Sequence, residues 1–336
     1  MRLQHWHLPH RAPSLYPPYS LASRVQEHLR RRQLDFKDAA CPAAPPPGVT
    51  AAQRLPPRHP PPPTLLSFTP MPTYTLGRRQ TAPLTDHEAA RLEAPLRIIL
   101  PEKGDRPPSA PPVPPPAPLP VAVLHSPRGG QTTYHGPGQA VLWPVLDLKS
   151  PDHKQFTVRC YSRLLEHTTI SALRNLFGLT AFTTEDPGVW VSPVSPNPQA
   201  LRDPAKIAAL GVHLRRHVTA LGTAINIAMP SADVLSEEMN PWARIVACGL
   251  EGKVVTSVAA EVDGGLPSLD DRLGGRVREE AVAASWAGEL ARRICVDGVD
   301  AAKHEDMLAL VTEILSRSGD TTPEEAEYVT GLQRLL

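Results

Sequence analysis

The sequence predicts a mixed α+β fold carried by one domain over residues 1–336. Apolar residues recur every fourth position in two places, Leu21, Val25 and Leu29 and then Val282, Trp286, Leu290 and Ile294, which is the spacing of a buried helix stripe. Between them lie short apolar or alternating runs, such as Leu65–Phe68, Val141–Leu148 and Lys206–Leu214, that read as strands. No regular βαβ alternation and no internal repeat orders these elements.

A formal net charge of +1 over 336 residues offers no basic field for a nucleic acid. The apolar fraction, 41%, can build a core, and no apolar run reaches the ~18 residues that suggest a membrane-spanning helix. The 41 prolines are clustered, so they mark particular segments. Cys41–Pro63 and residues 103–120 are expected to be disordered insertions on the surface. Nothing upstream of Val121 is large enough to fold alone, and loop-closure entropy grows slowly with length, so long insertions cost little. Cys41, Cys160, Cys248 and Cys295 are scattered without a CxxC pair, which suits a reducing compartment and predicts no metal site.

Taken in order, Met1–Pro9 reads as a short strand and Ser20–Phe36 as a helix with Arg30, Arg31 and Arg32 near its C-terminal end. The basic opening, MRLQHWHLPHRAP, would also fit a presequence. Thr64–Gly77 returns to order, with Leu65, Leu66 and Phe68 in a buried strand and Tyr74–Leu76 leading to Gly77; Ile98–Leu100 is a short apolar segment, and Val121–Leu124 is a strand entering a glycine-rich loop. Val141–Leu148 leaves that loop, with Pro144 arguing for an edge position or a bulge. Ser150–Pro151 reads as a helix start, followed by a buried stripe of Val158, Tyr161, Leu165, Ala172 and Leu176 and a stop at Gly178. Gly188–Val191 is a short strand. Lys206–Leu214 and Val218–Ile227 form a hairpin through Arg215–His217, and Val254–Val258 is a further strand. Residues 259–336 form a helical C-terminal part, including Met307–Leu315 and a capping box at Thr322–Glu325.

Chemistry concentrates in Arg128–Gln139, RGGQTTYHGPGQ. Its glycines allow positive φ and close approach of another molecule, and Pro137 stiffens it. The residues themselves permit either a structural turn or a substrate-cradling loop with His135 as a polar working group. Cys248, followed by Gly249 after a short apolar run, is either a core cysteine or an exposed nucleophile. Cys160 and Cys295 fall in helical patterns and read as core. Lys206, at the mouth of an apolar strand, is either solvated or a partner that stabilises a thiolate. No phosphate-binding loop, GxSxG elbow, HExxH pair or spaced His/Cys ligand set occurs.

Together these segments resemble the lipoyl(octanoyl) transferases, a family with the biotin/lipoate protein ligase-like fold whose eukaryotic members are mitochondrial. RGGQTTYHGPGQ matches the family signature, KIAALGV at Lys206–Val212 its lysine motif, and Cys248–Gly249 its acyl-accepting pair. Tyr74–Arg78, Gly188–Val191 and Gly222–Asn226 match more weakly, and the proline runs look like those of fungal proteins. The resemblance implies that Cys248 takes an octanoyl group from octanoyl-acyl carrier protein as a thioester, with Lys206 lowering the thiol pKa and moving the proton. A lysine of an apo lipoyl domain, on a 2-oxoacid dehydrogenase or the glycine cleavage H protein, then receives the group. It also implies an acyl site lined by Arg128, Gly129, Gly130, Gln131, Thr132, Thr133, Tyr134 and His135, by Ala209, Leu210 and Gly211, and by Gly222, Thr223 and Ala224. No cofactor is needed, and the chain is expected to act as a monomer. Departures are Ala247 where the family often has proline, Leu221 where it usually has histidine, and Thr69–Pro70 before the YTLGR segment. The alternatives are an ATP-dependent ligase of the same fold, a cysteine hydrolase, or a catalytically silent protein that docks through its proline runs.

Overall fold

The computed structural model describes residues 1–11, 14–40, 59–98, 117–192, 203–230, 236–245, 254–262 and 278–335. Cys41 and Cys248, most of both proline-rich runs, and Ile99–Leu100 lie outside these residues.

The strands are β1 (Leu3–Leu8), β2 (Thr64–Phe68), β3 (Thr73–Leu76), β4 (Ala122–His125), β5 (Thr133–His135), β6 (Gln139–Val145), β7 (Ala181–Phe182), β8 (Val189–Val191), β9 (Ala205–Arg215), β10 (Val218–Asn226) and β11 (Val299–Ala301). The helices are α1 (Tyr19–Ala40), α2 (Asp86–Glu93), α3 (Val158–Phe177), α4 (Val258–Glu261), α5 (Arg278–Arg293), α6 (His304–Ser318) and α7 (Pro323–Gln333). Eight strands form one sheet in the order β11-β1-β2-β6-β10-β9-β8-β7, and β4-β3-β5 form a second. Among the described residues, no helix is long and apolar enough to cross a membrane.

The large sheet is covered on both faces. Ala140 and Leu142 of β6 pack with α3 and α5, while Val141, Trp143 and Val145 pack with α1, α6 and α7. This alternation follows from the two-residue period of a strand, and it is why β6 is apolar on both sides. A third cluster joins Tyr74, Tyr134, Leu92 and Trp242 behind the small sheet.

Several expectations need correction. Pro144 is not on an edge, because β6 lies between β2 and β10. Its carbonyl points toward β10, so its missing N–H falls on that side as well. There β10 distorts, with Leu221 at φ 60. The Thr219 hydroxyl bridges the gap by donating to Pro144 O (2.8 Å) and accepting from Leu146 N (2.9 Å). Ser150–Pro151 forms a turn. The helix begins at Val158, where the Thr157 side chain accepts from Cys160 N and caps the first turn. Val158 is therefore exposed in the first turn. Cys160 is exposed on the face shared with Arg163 and His167, and Cys295 is exposed just past α5 at φ 61, so neither is a core residue. Val255 makes one bridge to Lys206 and Val258 opens α4, so the Val254–Val258 strand is not formed.

The described ends of the proline runs are anchored. Gln33 Nε2 donates to Pro61 O (3.0 Å) and Pro62 O (3.1 Å), and Gln4 N donates to Pro63 O (2.9 Å). Leu119 exchanges backbone hydrogen bonds with Leu96. Polyproline carbonyls have no internal partners and serve well as acceptors for neighbouring elements.

Candidate active site

The β9–β10 hairpin turns at Arg216 and His217, both in the left-handed region. Its register sets Gly211 opposite Gly222 and Ala209 opposite Ala224. Small residues facing each other across two strands leave a trough. Arg128 crosses it, and a Cβ at Gly211 would stand 3.0 Å from Arg128 Cδ. The guanidinium is buried, with Nε and Nη2 donating to Thr75 Oγ1 at 3.1 and 2.8 Å. Gly77 lets Gly130 O come within 2.3 Å of where a Cβ would be, which locks the glycine loop onto β3.

A narrow pocket results. Arg128, Thr133 and His135 line one side, and Ala209, Leu210, Gly211, Gly222, Thr223 and Ala224 line the other. Tyr19 of α1, Trp143 of β6 and Leu221 complete it. Sequence reasoning missed Tyr19 and Trp143. Tyr19 belongs to a distant helix that packing brings over the sheet, and only its place at the start of an apolar stripe hinted at this. The remaining predicted residues lie elsewhere. Tyr134 is core, tilted against Tyr74 with ring centroids 5.2 Å apart. Gly129 is exposed and Gly130 serves the turn at φ 90. Gln131 and Thr132 line a separate depression with Arg91 and Arg244.

His135 stacks on Tyr19 at 5.4 Å. Gln139 Nε2 donates to Asn226 Oδ1 (2.9 Å), so Gln139 Oε1 is left to accept from His135 Nδ1 (3.2 Å). That assignment makes Nε2 the acceptor atom of the ring. Burial, with a smaller contribution from the Arg128 charge, pushes the His135 pKa down to about 3. The imidazole is neutral at physiological pH and far too weak a base to hold a proton there. Asn226 Nδ2 continues the chain to Thr256 O (2.9 Å), and Thr256 N donates to Lys206 O (3.0 Å).

Lys206 is buried rather than solvated. It is the second residue of β9, three residues before Ala209, with Nζ 3.0 Å from Pro187 O and 4.8 Å from the centre of the Trp190 ring. Gly188, at φ 130, leaves room for its stem, since a Cβ there would lie 3.2 Å from Lys206 Cε. Glu166 accepts from Gly188 N and fixes this turn. Lys206 N donates to Val254 O (2.8 Å). Ile245 and Val254 are the described residues on either side of Cys248, and Val254 is tied to the backbone of Lys206.

Residues 51–285 match the family described as the lipoyl protein ligase A/B catalytic domain. The chain belongs to this family. Relatives of this chain include an octanoyltransferase of Rickettsia africae, 40% identical over 141 residues, which covers 41% of this chain and 59% of the relative. A mitochondrial octanoyltransferase of Saccharomyces cerevisiae is 29% identical over 252 residues, covering 72% of this chain and 63% of that protein. The chain thus spans less than two thirds of the length of these curated relatives. Among solved structures, a bipartite lipoate protein ligase from Thermoplasma acidophilum superposes with a TM-score of 0.51 at 14% identity, covering 98% of both chains. The lipoate-ligase-like fold expected from the signature is therefore present.

Proposed function

We propose that the protein is an octanoyltransferase of protein lipoylation. The observation that carries this reading is the meeting of the glycine loop with β9 and β10 in one narrow pocket of small residues, on the strand whose second residue is Lys206. A straight acyl chain needs such a trough, and the buried ammonium of Lys206, on one of the strands that line it, suits a thiolate partner. Cys248 attacks the carbonyl of an octanoyl thioester on acyl carrier protein, the carbon–sulfur bond to the carrier breaks, and the carrier thiol leaves with the proton. The lysine amine of a lipoyl domain then attacks the Cys248 thioester, an amide forms, and the cysteine sulfur is released. Lys206 stabilises the thiolate and carries the amine proton away. His135 acts as a fixed neutral acceptor in the pocket wall and takes no part as a base. The acceptors are lipoyl domains of 2-oxoacid dehydrogenases and the glycine cleavage H protein, and the place of work is the mitochondrion, as for the yeast relative.

The test is intact mass after incubation with octanoyl-acyl carrier protein in the absence of ATP. One octanoyl group, labile to hydroxylamine and lost in Cys248→Ala, is expected. An adduct that persists in Cys248→Ala, or that forms only with ATP and free acid, would replace this reading with a different nucleophile or with a ligase.

A further inference from the structure

Buried polar groups without partners gather between α1 and the β9–β10 hairpin. Arg30 is only 7% exposed, and its Nε and Nη2 atoms have no hydrogen-bond partner among the described residues. Its Nη1 donates to Glu27 (3.0 Å), which leaves the Nε–Nη2 edge open. Gln26, one turn earlier on the same helix face, accepts from Leu221 N through Oε1 and leaves Nε2 unpartnered. His213 Nδ1 is buried and unpartnered as well. His213 lies two residues past Gly211, on the strand face that Arg128 crosses, and opposite Ala220, the neighbour of Leu221.

A guanidinium edge, an amide and an imidazole nitrogen make a set dominated by donors. Leaving them buried and unmet is costly, whereas one oxyanion can satisfy them together. The Nε–Nη2 edge has the fork geometry that binds two oxygens of a phosphate or carboxylate. The surrounding charge is mostly positive. Beyond the effect of burial, Arg30, Arg78 and Arg215 hold the His213 imidazole below the usual histidine range, opposed by Glu27. Arg78 and Arg215 are exposed and close enough to act on the His213 ring, so their charges can draw in an anion from solution. Three guanidinium groups against one carboxylate favour the higher charge of a phosphate.

We propose that Gln26, Arg30 and His213 form a binding site for a phosphate group, with Arg78 and Arg215 close by, set beside the acyl pocket. The phosphate is either free or part of the phosphodiester that carries the prosthetic arm of an acyl carrier protein. Only the second source rests on the transferase reading.

Calorimetric titration of the full chain with inorganic phosphate, and separately with phosphopantetheine, tests the site. Saturable binding of inorganic phosphate is expected, weakened about tenfold or more in Arg30→Gln, which removes a charge-assisted fork. His213→Ala, at a half-exposed strand position, should weaken it several-fold without disturbing α1, and serves if Arg30→Gln fails to fold. Preference for phosphopantetheine assigns the carrier arm, and equal affinity assigns free phosphate. No saturable binding by the wild type, or undiminished affinity in folded variants, means that the donors meet only water and overturns the proposal. Either result is independent of whether Cys248 becomes octanoylated.

Discussion

Gly222 has no room for a side chain. A Cβ there would stand 2.2 Å from Leu142 O and 2.9 Å from Pro144 Cδ, so a methyl group must push backbone apart in the middle of the sheet. Gly222→Ala should cost about 1–3 kcal/mol and narrow the pocket. Urea denaturation reads the first effect, and a midpoint equal to the wild type would show that β10 yields freely. This position was legible in the sequence, because the GTAIN segment at Gly222–Asn226 marks it, although more weakly than the signature marks its own residues. Tyr134 shows the opposite. It sits inside the same signature, yet it packs against Tyr74 and Trp242, since successive residues of β5 face opposite ways. A motif states that its residues matter together and does not say which face each one serves. The exposure of Cys160 was hidden for a related reason. With Thr157 as the cap, the buried stripe runs through Tyr161, Leu165 and Ala172, and Cys160 turns outward.

Among the elements, β6 is the strand that the sequence predicts, but the edge position that Pro144 argued for, with a bulge as the alternative, is not where it lies. Proline argues for an edge only when nothing else can occupy the lost hydrogen-bonding position. Here Thr219 reaches across from β10 and serves both Pro144 O and Leu146 N with one hydroxyl. Such a contact between residues 75 apart leaves no local mark in the sequence. Thr219→Val keeps the shape and removes the hydroxyl, leaving buried backbone groups unmet. The expected loss is about 1–3 kcal/mol, readable as a lower urea midpoint with an unchanged slope. If the variant proves as stable as the wild type, the bridging role is wrong. Where the pattern was periodic and long, as in Val282, Trp286 and Leu290 of α5 and Ile294 just past it, all fully buried, the sequence sufficed. Trp286 also donates to Thr169 Oγ1 (3.0 Å), which fastens α5 to α3.

At the scale of the molecule, burial of neutral histidines ties stability to pH. Burial lowers the His5 pKa to about 4, and His135 stands at about 3. Both lie below the unfolded value near 6.5, so the unfolded chain binds more protons in the interval between. The stability associated with the neutral rings is present above about pH 6.5 and is lost as pH falls toward the folded values. Between pH 6.5 and 5 each ring should remove about 2 kcal/mol, seen as a falling urea midpoint. A midpoint flat across that range would mean that these rings stay solvated. The large sheet also joins distant parts of the chain, since Leu3 in β1 pairs with Val299 in β11 while Gln4 pairs with Thr64 in β2. A chain growing at ~5–20 residues per second makes β1 and β2 early and reaches β11 only after tens of seconds. Throughout that interval the outer side of β1 is an open strand edge, able to pair with a neighbouring nascent chain. Shortening the protein from its C-terminal side would prolong that exposure indefinitely, so loss of β11 should favour association between copies even where the inner core remains covered.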